Sequence, residues 1–238
     1  SRFYGGQHQG DVRVSFVAAQ PVLTVNQVVT GFEVSGLLQD LAGTARVHGT
    51  GDLYMKARAL LGSSQQARQS LTGDMGLSVV DGVIDGVDVR GAVDKVTALL
   101  GKGDRAAIAA EDGDRMEFAE LIVSGIIAQG ILKSDDLSLR SALVNATGKG
   151  TVNLVNETVN YVIYPMPANE LAVQLPEDYR SMVVPVRVTG NLHEPDISLD
   201  IAAGIMASQN ANIVNKAGEA ASTLLEGFLG KDKKKDGQ

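Results

Sequence analysis

The residues from Thr44 to Arg58 alternate between polar and apolar or small side chains over an unusually long stretch. The even positions are the polar set: Thr44, Arg46, His48, Thr50, Asp52, Tyr54, Lys56 and Arg58. The odd positions are the small or apolar set: Ala45, Val47, Gly49, Gly51, Leu53, Met55 and Ala57. A helix would mix the two sets within one turn, so the pattern predicts a β-strand with one polar and one apolar face. At about 3.3 Å per residue, such a strand is ~50 Å long.

A second stretch of the same kind runs from Val144 to Leu154, and both stretches carry a Gly-x-Gly on the apolar face. The apolar face of this second strand is Val144, Ala146, Gly148, Gly150, Val152 and Leu154. Shorter alternating segments follow the same rule at Asp11–Phe16, Asp74–Val79, Val159–Ile163 and Val184–Gly190. Strands are therefore expected to dominate the fold.

Turn-forming residues separate these segments and predict short connections between them. The expected turns are Asp81-Gly82, Asp85-Gly86, Ala128-Gln129-Gly130 and Asn156-Glu157-Thr158. Asp-Gly tolerates the positive φ of tight hairpins, and short loops require antiparallel neighbours. The prediction is an antiparallel meander, with Pro165–Asp178 as a longer, proline-rich loop.

Helical segments are expected to be few, and the alternating pattern on both sides of them argues against two domains. We predict one sheet domain over residues 1–200 with short helices at 35–41, 63–71 and 88–100, of which the first two begin at the capping-type residues Ser35 and Ser63. An amphipathic helix is predicted over 201–230, followed by a charged tail at 231–238. The tail's lysines are interpreted as a solvated terminus, and attraction to anionic lipid head groups is the alternative.

Composition removes several classes of function. The chain has no cysteine, which excludes disulfides, thiol catalysis and cysteine-bound metal clusters. A net charge of −7 and an aromatic content of 4% argue against nucleic acid as a partner.

The residues that carry chemistry elsewhere are not arranged for it here. His8, His48 and His193 are far apart in the sequence, and Asp135-Asp136 would point to opposite faces of a strand. The Asp81–Asp88 cluster lacks the ligand spacing of a calcium loop, and Gly148–Thr151 lacks the phosphate-loop pattern. We therefore predict that the chain is not an enzyme and holds no metal or cofactor.

The apolar face of the long strands allows two interpretations. Aliphatic side chains with little aromatic bulk form an ordinary sandwich core, or they form a trough for acyl chains. Glycine inside a strand gives nothing to pack and weakens the strand, so its repetition on the apolar face favours a surface left open or closely approached.

Three blocks of sequence, in this order, resemble the AsmA-like family. The first is Gly73–Asp88, which ends in Gly-Val-Ile-Asp-Gly-Val-Asp. The second, Asp135–Asn156, contains Asp-Asp-Leu-Ser-Leu-Arg-Ser and Gly-Lys-Gly-Thr-Val-Asn-Leu. The third is Val184–Asp196, Val-Pro-Val-Arg-Val-Thr-Gly-Asn-Leu-His-Glu-Pro-Asp. The resemblance spans roughly Val22 to Ile201 and corresponds to the C-terminal periplasmic region of AsmA-type proteins.

The resemblance implies a periplasmic protein of Gram-negative bacteria that is anchored to the inner membrane by an N-terminal helix absent from this chain. It implies a β-groove that carries phospholipid between the membranes and supports outer-membrane integrity. The chain departs from the family at Ser141-Ala142, where members often have Ser-Pro, and at Met116-Glu117-Phe118, where they have Thr-x-Phe. Neither position bears on chemistry, because the family has no established catalytic residues.

These observations predict a mainly β fold: an elongated, twisted antiparallel sheet that forms a hydrophobic, taco-like groove with short helices at its ends. The predicted function is non-enzymatic binding or transfer of phospholipid acyl chains. The alternative is an assembly factor whose sheet edges capture strands of outer-membrane or other envelope proteins. The residues predicted to line the groove are Val47, Leu53, Met55, Met75, Leu77, Val79, Val144, Val152, Leu154, Val186 and Val188.

Overall fold

A single β-sheet contains most of the residues that the structure describes. The computed structural model describes residues 2–16, 20–43, 45–87, 115–175, 177, 180, 183 and 185–200. Within these residues, eleven strands form one open sheet whose order follows the chain from β1 to β11. Every neighbouring pair is antiparallel. The predicted mainly antiparallel β fold is confirmed.

The strands are β1 (Arg2–Phe3), β2 (Gly6–Ser15), β3 (Val22–Glu33), β4 (Val47–Leu60), β5 (Thr72–Asp85), β6 (Arg115–Ala128), β7 (Ile131–Arg140), β8 (Val144–Asn153), β9 (Thr158–Pro167), β10 (Val186–Asn191) and β11 (Pro195–Leu199). The helices are α1 (Val34–Ala42), α2 (Ser64–Ser70) and α3 (Asn169–Ala172). The predicted helix at 88–100, the helix at 201–230 and the tail at 231–238 lie outside the described residues.

Strand β4 follows the alternation seen in the sequence. It has 14 residues, and its even positions from Thr50 to Arg58 are exposed while the odd positions between them are buried or half-buried. The face that carries the odd residues of β4 is called the inner face below, and the opposite face the outer face. Register extends this assignment to the neighbouring strands, because directly paired residues share a face.

The hairpin predicted at Asp81-Gly82 is wrong. β5 continues through this dipeptide, and Asp81 has a φ of 51° inside the strand. The pairing with β4 shifts there, from His48–Val83 to Thr50–Val80, so β5 contains one extra residue. The positive φ that Asp-Gly tolerates serves a β-bulge here rather than a turn. The second Asp-Gly does end the strand, with Gly86 at a φ of 81°.

The proline-rich segment is also more regular than expected, because β9 runs through Pro165 and Pro167 before α3 begins. These prolines pair with β8 on one side. On the other side, the pairing between β9 and β10 ends at Ile163–Val186. Both prolines therefore lie where a missing N–H costs no ladder hydrogen bond to β10.

Two short helices begin and end with defined caps. α1 is capped by Glu33, whose carboxylate accepts hydrogen bonds from the backbone N and the hydroxyl of Ser35 at 3.3 and 2.9 Å. Gly43, at a φ of 69°, ends this helix. In α2 the cap is the predicted Ser63, whose hydroxyl accepts from the backbone N of Gln66 at 3.2 Å. Helices of this length depend on packing for their stability.

The hydrophobic core lies between the inner face and the helices α1 and α3. Its buried members are Val29, Phe32, Val34, Val79, Met116, Phe118, Leu139, Val144, Ala146, Leu171 and Leu175. Val34 of α1 and Leu171 of α3 close this end of the face. Toward the other end of the strands, where α2 lies, most of the inner face is half-buried, although Ala59 and Ile127 are buried. One end of the inner face is thus an ordinary core, and the rest of the face is less covered by the described residues.

Candidate functional site

Most of the residues predicted to line a groove share the inner face. Leu53 pairs directly with Leu77, and Met55 with Met75, across β4 and β5. In the distant half of the sheet, Val186 and Val188 of β10 pair with Ile163 and Tyr161 of β9. Register places Val152 of β8 on the same face, opposite Val159 of β9 and Leu132 of β7.

Six of the predicted residues lie in or against the core, or outside the strands. Val79 is 0% exposed and Val144 is 6% exposed, and both belong to the core that α1 and α3 cover. Val47, Leu53 and Leu77 are half-buried and pack against this core. Leu154 follows β8, and its backbone N donates to the carbonyl of Gly130 at 2.8 Å. Groove lining by the predicted set as a whole remains a prediction.

A row of directly paired apolar residues and glycines crosses the inner face from β2 to β11. Its members are Val12, Val25, Ala57, Gly73, Ile127, Leu132, Val152, Val159, Gly190 and Pro195. We call it the apolar row. Nine inter-strand steps of about 4.8 Å make it ~43 Å long, measured across the strands. Within this row Ile127 is buried, while Val25, Leu132 and Val152 are half-buried.

The sequence pattern missed most of this row. In β6, the run Leu121-Ile122-Val123 is apolar at consecutive positions, so alternation cannot assign Ile127 to a face. The register that aligns the row depends on shifts in the pairing, such as those between Ile122 and Ile126 and between Ser134 and Leu137. Short alternation around Val12 and Val159 was the available signal for those two strands.

Polar groups on the inner face occur in hydrogen-bonded pairs. His8 of β2 and Gln27 of β3 contact each other through Nε2 and Oε1. The hydroxyls of Ser134 and Tyr161 are 2.9 Å apart, and Ser134 is buried. Burial raises the pKa of the Tyr161 hydroxyl. Within the described residues, no buried side-chain nitrogen or oxygen lacks a partner, so the face is locally polar without unmet hydrogen bonds.

The glycines of β8 are covered by a tyrosine rather than left open. A Cβ on Gly150 would lie 2.5 Å from the Cα of Tyr161, and one on Gly148 would lie 2.9 Å from its Cε1. The tyrosine ring therefore lies across both glycines, on its way to Ser134 of β7. In β4, Gly51 has an equivalent role, since a Cβ there would meet Val34 of α1 at 2.5 Å.

A carboxylate holds together β6 and β7 where their pairing is interrupted. Asp136 accepts a hydrogen bond from the backbone N of Ser124 at 2.9 Å, and a second one from the Ser124 hydroxyl. Partial burial would raise the pKa of Asp136, but these hydrogen bonds outweigh it and lower the pKa. The strand is bulged at this point, so strict alternation does not describe Asp135 and Asp136.

The outer face carries a hollow of about 310 Å³ over β3 to β6. Its outward-facing lining includes Val28, Tyr54, Gly76 and Ile122. The Tyr54 ring covers Gly76, where a Cβ would lie 2.2 Å from its Cε1. This hollow spans four strands, whereas the apolar row spans ten. The two apolar surfaces also lie on opposite faces of the sheet.

The charged groups form surface ion pairs rather than a reactive centre. His48 lies 2.8 Å from Asp85, whose other oxygen is 3.2 Å from Arg115. All three side chains are at least 40% exposed, which is typical of surface ion pairs. Among the described residues, no group of three potential metal ligands comes together.

None of the described helices is both long and apolar enough to span a membrane. The family model for the AsmA family matches residues 1–137, which is more than half of the chain. No curated protein matches the chain. No solved structure matches it either.

Proposed function

The chain belongs to the AsmA family, and from this premise we propose that it is a periplasmic, non-enzymatic module that shields phospholipid acyl chains on its inner face. The family is generally non-enzymatic and associated with the cell envelope, and membership suggests a role of the lipid-transport kind. The finer proposal is that this module passes phospholipid between an inner membrane, to which the full-length protein is anchored, and the outer membrane.

The observation that carries the proposal is the apolar row. An acyl chain has no hydrogen-bonding groups, so it favours an apolar surface on which no donor or acceptor is left without a partner. The row is ~43 Å long, and the hydrocarbon core of a bilayer is about 30 Å thick, so the row is long enough for an extended acyl chain. Its half-buried aliphatic side chains offer roughly 25 cal/mol per Å² of acyl surface removed from water.

The polar pairs beside the row fit the same interpretation. Because Ser134 satisfies Tyr161, and Gln27 contacts His8, a lipid can lie beside these groups without breaking a hydrogen bond. The closed end beneath α1 and α3 restricts the proposed path to the row and its immediate neighbours, Met55 and Met75 among them.

Site-specific photo-crosslinking tests the path. A photoreactive amino acid is placed at Val152 or Met55 on the inner face, and at Ile122 in the outer hollow as a matched control. The protein is expressed in the periplasm of a Gram-negative host and purified without detergent, and lipid adducts are identified by mass spectrometry. We expect phospholipid adducts at Val152 and Met55 but not at Ile122.

The result that overturns the proposal is the absence of co-purified phospholipid together with no adduct at Val152 or Met55. Adducts at Ile122 alone would move the lipid site to the outer hollow. A second measurement compares Val152→Arg with Ile122→Arg. Because burying an unpaired charge against an acyl chain is costly, we expect V152R to reduce bound phospholipid about tenfold or more, and I122R to leave it unchanged.

A further inference from the structure

The outer face carries exposed apolar side chains on β3, β4 and β6, away from either edge of the sheet. These side chains, called the outer patch below, are Val28, Tyr54, Ile122 and Ile126. Register places Val28 and Tyr54 in one row with Gly76 and Ser124. Ile122 and Ile126 lie two residues to either side of Ser124 in β6. A contiguous apolar patch on a protein surface is typical of an interaction site.

The Tyr54 ring separates two hollows of this surface. The first is the hollow of about 310 Å³ described above, which Ile122 lines. The second, of about 220 Å³, lies on the other side of the ring and is lined by Ile126, Asp74 and Lys133. Ile126 is 68% exposed, so its side chain projects from the sheet. One surface therefore carries both an apolar hollow and a projecting apolar side chain, on opposite sides of a central ring.

We propose that the outer patch binds the outer patch of a second copy of the chain, with the two sheets packed face to face about a two-fold axis. The axis crosses the strands above the row of Val28, Tyr54, Gly76 and Ser124. It places each strand over the same strand of the second copy with its direction reversed. A residue two positions before the row therefore meets the residue two positions after it, and the contact occurs twice.

The apolar groups fit each other across this axis. Ile126 of each copy lies over Ile122 of the other and enters the hollow that Ile122 lines. The two Tyr54 rings face each other, and each ring lies over Gly76 of its own sheet. Between the two sheets there are thus three contacts: backbone to ring, ring to ring, and ring to backbone. At about 3.5 Å for each contact, they match the ~10 Å that separates packed sheets.

Charge selects this axis over the axes above the two neighbouring rows. Lys56 and Asp52 flank Tyr54 in β4, so each lies over the other residue of the second copy. An axis above Lys56 would place Lys56 and Asp74 each over itself, and an axis above Asp52 would place Asp52 over itself. Like charges repel and opposite charges attract. Neither Lys56 nor Asp52 forms an ion pair with another residue in the described part of the chain, so both can pair across the axis.

The size of the surface predicts a weak dimer. Four strands and three to five rows of outer side chains cover roughly 400 to 600 Å² in each copy. The two copies together bury about 800 to 1,200 Å², which is at the low end for specific interfaces. We therefore expect a dissociation constant in the micromolar range. The two inner faces point away from each other in this dimer, so the pairing covers neither of them.

Charge reversal tests the axis. We expect the 238-residue chain to show a monomer–dimer equilibrium when a concentration series is followed by sedimentation velocity. D52K and K56D each turn both charge pairs into like-charge pairs, so each should weaken dimerisation by about tenfold or more. The double variant D52K/K56D restores opposite charges and should restore the dimer. E170K is the matched control, because Glu170 is exposed on α3, which packs on the inner face.

Cross-linking gives an independent readout, since the chain has no cysteine of its own. In V28C the two introduced thiols face each other at the spacing of packed sheets, within reach of a short bis-maleimide. We expect V28C to form a covalent dimer with this reagent. Q39C should remain monomeric, because Gln39 is exposed on α1 at the inner face.

A third variant separates this proposal from the proposed function. I126R places a charge on the projecting side chain of the outer face, so it should abolish the dimer. It should leave the phospholipid bound to the inner face unchanged, because Ile126 and the apolar row lie on opposite faces.

Four outcomes overturn the proposal. The first is a monomer at all concentrations without V28C cross-linking. The second is a dimer that persists in K56D and I126R, which would place the interface elsewhere. The third is failure of D52K/K56D to recover the dimer while circular dichroism shows that it is folded. The fourth is a phospholipid adduct at Ile122, which would assign the outer patch to lipid. The first three do not depend on lipid binding to the inner face.

Discussion

At the residue scale, Asp136 replaces a hydrogen-bond partner that the sheet cannot supply. The β6–β7 pairing skips the residues between Ile122 and Ile126, and the Asp136 carboxylate accepts the N–H of Ser124 in that gap. Because such hydrogen bonds stabilise the ionised carboxylate, they lower the pKa of Asp136. A group whose pKa is lowered by folding stabilises the fold above its unfolded pKa, and that contribution is lost as the pH falls through the folded value.

We therefore expect Asp136→Ala to lower the free energy of unfolding by about 1 kcal/mol at neutral pH, after allowance for solvent screening. The difference from the wild type should shrink below about pH 3.9, where the carboxyl is protonated in the unfolded chain and loses its advantage in the folded one. Urea unfolding across a pH series measures it. Asp135→Ala is the control and should change stability by less than about 0.5 kcal/mol. A difference that is constant with pH would contradict the prediction.

The two glycines beneath Tyr161 should differ in their tolerance of a methyl group. A Cβ at Gly150 would lie 2.4 Å from the backbone O of Asn160, whereas at Gly148 its nearest neighbour is a side-chain atom at 2.9 Å. Backbone atoms cannot move aside as a ring can, so we expect Gly150→Ala to cost about 1 to 3 kcal/mol and Gly148→Ala less. Equal losses in chemical denaturation would show that the Tyr161 ring is as fixed as the backbone.

At the element scale, α1 is held by the side chain that fills the space above Gly51. Val34 is 1% exposed, while Gln39 on the same helix is exposed. We expect Val34→Ala to lower the free energy of unfolding by roughly 1 to 3 kcal/mol, through lost apolar burial and the cavity that remains. Gln39→Ala should stay within about 0.5 kcal/mol of the wild type. If thermal unfolding shows equal losses of stability for Val34→Ala and Gln39→Ala, packing of Val34 against the core does not stabilise the fold.

Elements with uninterrupted alternation were predictable from the sequence, and those with bulges were not. β4 contains no extra residue, so its inner face follows directly from period two, and Ser63 marks the start of α2 correctly. Asp81-Gly82 permits positive φ in a turn and in a bulge alike, and the choice depends on pairing with β4, which is distant in sequence. The cap of α1 is Glu33 rather than a serine, because Ser35 donates to it.

The candidate site shows the same division. Leu53, Met55, Met75 and Leu77 were placed from alternation, and register confirms that they share a face. The depth of each residue depends on which helix covers it, and sequence period carries no information on that. Val79 and Val144 consequently have the pattern of groove residues but the burial of core residues.

At the scale of the whole molecule, protection is expected to be greatest in the middle of the sheet. The described core residues of the strands come from β3 to β8, and none of them comes from β2, β10 or β11. Amides in β4 to β6 should therefore exchange with deuterium most slowly, and those in β2 and β11 fastest. Hydrogen–deuterium exchange followed by mass spectrometry measures this order of exchange rates. Uniform exchange across the sheet would contradict the prediction.

The order of the strands has a consequence for how such a molecule changes over generations. Each strand is hydrogen-bonded to the strands that precede and follow it in the chain, so one hairpin can be duplicated or deleted without rerouting any other connection. Each duplication would lengthen the sheet by ~10 Å across the strands. Tandem duplication of one hairpin within the gene can therefore change the width of the sheet in steps of two strands.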